Sequence, residues 1–154
     1  FVDLVYANVL ARTPDGPATL QRRHDIRRHV LAYQPTHAVI EFGPEIAADP
    51  NHRSVARFEA DITRLVDRLL EEGIDPILST GVRLGERQAQ SQGLLDEYNA
   101  VLRRLAVSRG CRLADVDAHF RSLDTYKMSL VAPNGAVPTF TGSREMATVL
   151  LTGR

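Results

Sequence analysis

Net charge is the first thing this 154-residue chain lacks: nineteen basic and nineteen acidic side chains cancel. A strongly basic binder of nucleic acid or membrane surfaces is thereby disfavoured, and no nucleic-acid partner is expected. Cys111 is the only cysteine, so no internal disulfide can form and the redox compartment stays open. It precedes a strand-like segment and reads as a small buried hydrophobe. Lys127 is the only lysine, and the arginine excess reports on coding bias more than on function. No apolar run approaches the roughly 20 residues of a transmembrane helix. No signal peptide is present to read, so a soluble chain of unassigned compartment is expected. Internal repeats and low-complexity segments are missing, as is a glycine-rich loop to cradle phosphate, which leaves a nucleotide role unsupported. No cofactor is implied. The chain also lacks an initiating methionine. Its first residues, FVDLVYANVL, already read as a strand, the pattern expected of a fragment or processed product with sequence upstream.

What is present suffices for one domain over residues 1–154. Apolar residues make up 44% of the chain, enough to bury a substantial core. The β-branched and aromatic run at 1–10 is a first strand. A loop at 11–17 holds two prolines and Gly16. Leu20, Ile26, Val30 and Leu31 share a helical face over 18–32. Arg22, Arg23, Arg27 and Arg28 lie on its other sides, with His24 and His29 among its surface residues. The next strand is 38–42, bounded by Pro35 and by Gly43-Pro44, followed by a polar turn through Asn51. Val55, Phe58, Ile62, Leu65, Val66 and Leu69 recur at helical spacing up to Gly73. PILST at 76–80 is a third strand, and 81–92 a polar loop of the kind that borders a site. A helix built on Leu94, Leu95, Tyr98, Val101, Leu102 and Leu105 closes at Gly110. It is followed by a fourth strand at 112–116 and a last helix at 142–151. Strands alternating with helices predict a three-layer α/β/α fold, flavodoxin-like, around a parallel sheet of about four strands. Sites in such sheets lie beyond the carboxyl ends of the strands, which places Gly43 to Ile46 at a rim.

Several strings, taken in order, resemble the SGNH or GDSL hydrolase family of esterases and lipases. QPTHAVIEFG is similar to the strand leading into that family's third block, GxND. YNAVLRRLA followed by LADVD resembles its helix and following strand. APNGAVPTFTGSREMATVL resembles the DGxHP turn that leads into its terminal helix. The resemblance covers most of the chain, and Gly16 stands at a plausible distance from Gly43 to be the second-block glycine. It implies acyl transfer to a serine, with a histidine as base, an aspartate orienting it, and an oxyanion hole.

Carried over by position, that chemistry is largely missing. Glu45 falls where the GxND asparagine stands, and its carboxylate would repel a developing oxyanion; Ile46 takes the next position. In the last block Asn134 falls at the aspartate and Val137 at the histidine, and valine cannot take a proton. Two readings of the nucleophile stay open. If Phe1 opens the family's second strand, the serine block lies upstream, and the Gly16 to Gly43 distance suits this. If Phe1 opens the first strand, Ala7, Asn8, Val9 and Leu10 stand in place of GDSL, with Val9 replacing serine, and the sheet stays contiguous. Of the seven serines, Ser79 at a strand end is the best substitute, although a strand-end serine commonly caps a loop. Asp115, Asp117 and His119 are close enough in sequence for an acid–base or metal cluster. Their spacing matches no standard ligand motif, so no metal is expected, and the carboxylates read more simply as caps of a short helix. Glu45, Asp49 and His52 share the rim loop and offer only a weak metal or acid role.

Two functions follow from the resemblance. One is a catalytically inactive domain that binds or scaffolds, its partner a small acyl or sugar ester or another protein. The other is an active ester hydrolase whose serine block lies upstream or whose site is rebuilt. A flavodoxin-like binding module is the more distant option.

Overall fold

Two short apolar runs, at 38–40 and 77–78, form the centre of a parallel sheet covered on both faces. The computed structural model describes residues 4–7, 30–42, 44–49, 53–123, 130–132 and 138–152. Among them β1 (Leu4–Ala7), β2 (His37–Glu41), β3 (Asp75–Ser79) and β4 (Arg112–Ala114) pair in the order β1-β2-β3-β4. All pairings are parallel, with Val5 opposite Ala38, Val39 opposite Ile77, and Ser79 opposite Ala114.

Alternation along the strands divides the core in two. Ala38, Ile40 and Leu78 face Phe58, Ile62 and Leu65 of α2 (Val55–Glu71) and Leu95 and Leu102 of α3 (Gln92–Arg109). On the opposite face Val39 and Ile77 pack with Val116 and Phe120 of α4 (Val116–Ser122) and with Met146 and Val149 of α5 (Phe140–Thr152). The expected three-layer α/β/α architecture is therefore present, with four strands. Burial of both faces explains why β2 and β3 are uninterrupted apolar runs rather than alternating ones.

The local ends follow from local chemistry. Ser54 caps α2, its hydroxyl accepting the Arg57 N–H at 3.3 Å. Gly110, at φ 65°, ends α3 in the left-handed conformation that glycine adopts without strain.

Four expectations need correction. The segment after β2 is not wholly a polar turn, because Pro44–Ala48 forms a short helix, α1. Proline at its first position presets φ and loses no needed N–H, and Ala47 is buried. Five residues are too few for helical periodicity to show. The loop at 81–92 contains a 3-10 segment, Glu86–Ser91. β4 ends at Ala114 because Asp115 leaves the sheet to cap α4. Cys111 is half-buried at the core's edge rather than enclosed, and burial pushes its thiol pKa up. Of the helix expected at 18–32, only the 3-10 turn Leu31–Tyr33 falls in the described part; its remainder, with Arg22, Arg23, His24, Arg27, Arg28 and His29, lies outside the described residues.

The start of α5 is fitted against the preceding chain at van der Waals distance. Val131 and Pro138 form an antiparallel bridge, and the Thr139 N–H donates to the Leu130 carbonyl at 2.9 Å. The Gly142 N–H donates to the Thr139 hydroxyl at 3.1 Å. A Cβ on Gly142 would stand 2.1 Å from the Leu130 carbonyl oxygen, which is backbone and cannot swing aside. Gly142→Ala should therefore lower unfolding stability by about 1–3 kcal/mol, the usual range for overpacking, measured by urea denaturation. An unchanged midpoint would show that α5 does not sit this close.

Candidate functional site at the carboxyl ends of the strands

β3 ends at Ser79 and runs into Thr80 and Gly81, and these two are each fixed by a group from elsewhere. The loop cannot leave the sheet without turning under α3, where a Cβ on Gly81 would lie 3.0 Å from both Leu95 Cδ1 and the Phe42 carbonyl. The Gly81 N–H donates to Asn99 Oδ1 at 2.8 Å, and Asn99 Nδ2 donates to the Gly81 carbonyl at 3.1 Å. Asn99 is wholly buried, and these two bonds satisfy its amide as a neighbouring strand would. The buried Thr80 hydroxyl donates to Asp115 Oδ1 at 3.1 Å and accepts the Asp117 N–H at 2.9 Å, joining the ends of β3 and β4.

Arg103 of α3 holds the two carboxylates beyond β4. Its Nε and Nη2 donate to Asp115 at 2.8 and 2.7 Å, and Nη2 also reaches Asp117 Oδ2 at 2.8 Å. Arg121 Nε takes the other Asp117 oxygen at 2.9 Å, and its Nη2 extends to Asp96 at 2.7 Å. Gln92 then links Asp96 to the Leu84 N–H, tethering the 81–92 loop to the same network. Burial works to raise the Asp115 pKa. The hydrogen bond and charge of Arg103, with bonds from Ala118 and Thr80, outweigh it and hold the carboxyl below its ordinary value. The Asp115 hydrogen bond in turn raises the Arg103 pKa.

The sequence-predicted residues separate in space. Asp115 caps α4 by accepting the Ala118 N–H at 3.1 Å, while Asp117, in the first turn, is bound by two arginines. His119 does not join them but pairs through Nε2 with Glu145 of α5 at 2.8 Å. Ser79 is wholly buried, its hydroxyl 3.5 Å from the Thr80 carbonyl. The two described histidines, His37 and His119, face Asp75 and Glu145, so no serine–histidine pair occurs among the described residues. No group of three or more histidine, cysteine or acidic residues is placed to hold a metal among them. Glu45 lies on α1 and Asp49 directly after it. Val9, Gly16, Gly43, His52, Asn134 and Val137 fall outside the described residues.

Sequence reasoning missed Thr80, Asn99, Arg103 and Arg121. Only Asn99 gave a signal: a polar residue inside the apolar face of Leu95, Tyr98 and Leu102 needs a buried partner.

Comparison with solved structures agrees with this architecture. An acetylxylan esterase, Axe2, from Geobacillus stearothermophilus superposes with TM-score 0.74 at 21% identity, covering 84% of this chain and 64% of that one. A lipase/acylhydrolase from Enterococcus faecalis gives 0.75 at 17%, covering 83% and 65%. A protein assigned as a GDSL-like lipase from Parabacteroides merdae gives 0.76 at 19%, covering 86% and 66%. The chain thus has an SGNH/GDSL hydrolase-like fold, and it spans just under two thirds of the length of these neighbours. No family model matches the sequence, and no curated protein is similar enough in sequence to match.

Two outcomes test the site's framework. Asn99→Leu strands the buried Gly81 N–H and carbonyl and should cost about 1–3 kcal/mol, read from the denaturation midpoint. For Asp115 the folded pKa lies below the ordinary 3.8. Its contribution is therefore complete above that value and lost as pH falls from there through the folded pKa. Asp115→Asn should flatten the acid limb of the stability–pH curve in that window; an identical limb in the variant would contradict the depressed pKa.

Proposed function

We propose that this chain is an esterase-fold domain that binds a ligand or partner without cleaving esters through a serine, histidine and aspartate. The observation that carries this reading is the last block, where Asn134 and Val137 stand at the positions of the family's aspartate and histidine. Pro138 stands at the proline of the same DGxHP pattern. Valine offers no lone pair to accept the serine proton, so general-base catalysis has no agent at that position. Glu45, at the position of the oxyanion-hole asparagine, would bring a negative charge where negative charge develops. The fitting partner is a small acyl or sugar ester, or another protein.

One observation favours the second reading, an active acyl or carbohydrate ester hydrolase. The match takes in only 64% of the acetylxylan esterase, a protein whose serine-to-alanine variant is described as a catalytic mutant. A serine supplied from outside these residues would still have valine, not histidine, at position 137.

Hydrolysis of p-nitrophenyl acetate separates the two. The expected result is no turnover above the buffer rate. Turnover abolished by a serine-directed phosphonate would overturn the proposal. Val137→His, Asn134→Asp and Glu45→Asn combined should still give no activity, because no nucleophile accompanies them. Activity from those three changes alone would mean that a serine such as Ser79 is usable.

A further inference from the structure

Asp61 of α2 is wholly buried, yet three guanidinium groups converge on its carboxylate. Arg53 and Arg64 each make a short contact to it, and Arg57 Nε lies 3.3 Å from Oδ2. Two of these groups, Arg57 and Arg64, share the single Asp61 carboxylate while reaching solvent. Other acids on or beside this helix are engaged elsewhere: Glu59 with Arg104 at 3.3 Å, Asp67 with Arg109 at 2.7 Å, and Glu72 with Arg68. The Arg57 and Arg64 side chains remain 58% and 64% exposed. Arg64 Nε also donates to the Ala60 carbonyl at 3.3 Å. Each side chain has still spent only part of its donor set, since a guanidinium carries five N–H groups.

The location bears on function. Phe42, directly after β2, packs edge-on against Phe58 with ring centroids 5.6 Å apart. Phe58 follows Arg57, so this end of α2 stands at the carboxyl-end rim of the sheet. The positive end of the α2 dipole lies here as well.

We infer that Arg57 and Arg64, held on either side of the Asp61 carboxylate, form an oxyanion site beside the rim that takes a phosphate or carboxylate group of a ligand. Asp61 engages both heads while each side chain stays more than half exposed, so an oxyanion can bridge the two guanidinium groups by charge-assisted hydrogen bonds. Such a site operates whether the rim cleaves its ligand or only binds it.

The test is titration of the unaltered chain, at constant ionic strength, with inorganic phosphate and separately with glucuronate, following arginine side-chain Nε–Hε resonances. Saturable shifts confined to Arg57 and Arg64 with either probe support the site, and the tighter probe identifies the phosphate or carboxylate source. Arg57→Gln and Arg64→Gln should each weaken that binding by on the order of tenfold, as expected for losing a hydrogen bond to a charged group. Absence of a saturable shift with both probes overturns the inference. So do equal shifts at Arg104 and Arg109, which would mean diffuse ion accumulation. The first measurement needs no substitution, so it decides the matter even where a variant misfolds.

Discussion

The ion pairing of Arg103 with Asp115 and Asp117 is the constraint on which the strand-end face depends. Asp117 is 2% exposed, and a carboxylate so placed is costly unless charge and hydrogen bonds answer it. Arg103 supplies one answer and Arg121 the other, and both guanidinium groups keep a more exposed carboxylate, Asp115 or Asp96, as a second partner. Through these pairs α3, the end of β4 and the start of α4 are fixed to one another. Thr80 adds β3 by bridging an Asp115 oxygen and the Asp117 amide. The rim is therefore fastened from beneath by polar groups that are mutually satisfied, and no buried side-chain polar atom lacks a partner among the described residues.

That fastening explains which parts of the molecule were legible in its amino-acid order. The helical stripes of α2 and α3 and the apolar runs of β2 and β3 are local patterns, so the layers are legible from them, whereas the strand order comes from the structure. The network is not local. Arg103 precedes Asp115 by 12 positions, Asp96 precedes Arg121 by 25, and Thr80 precedes Asp117 by 37. Nothing in RRLAVSRG marks which arginine turns under the sheet. Asp115 is legible as a cap because capping is local, and it does cap α4, whereas Asp117, expected to cap as well, is held by Arg103 and Arg121. His119 was misjoined to them because proximity in sequence does not say which way a helix faces; Glu145, 26 residues on, is its partner. α1 was lost for the opposite reason, being too short for any period to register.

The resemblance to the SGNH/GDSL hydrolases holds at the level of the fold. Neighbours at 17–21% identity share the fold, with TM-scores of 0.74–0.76. Likeness of fold does not carry activity with it, because one scaffold hosts many chemistries and function resides in particular side chains.

Frame and chemistry can part company here for a physical reason. The bonds that hold the rim use backbone groups and polar side chains already engaged within the fold: the Gly81 amide and carbonyl with Asn99, and the Thr80 hydroxyl with Asp115 and the Asp117 amide. Loss of a base or of an oxyanion donor removes none of them. A scaffold secured in this way holds its shape without help from reactive side chains, so the fold by itself does not decide which chemistry its rim performs.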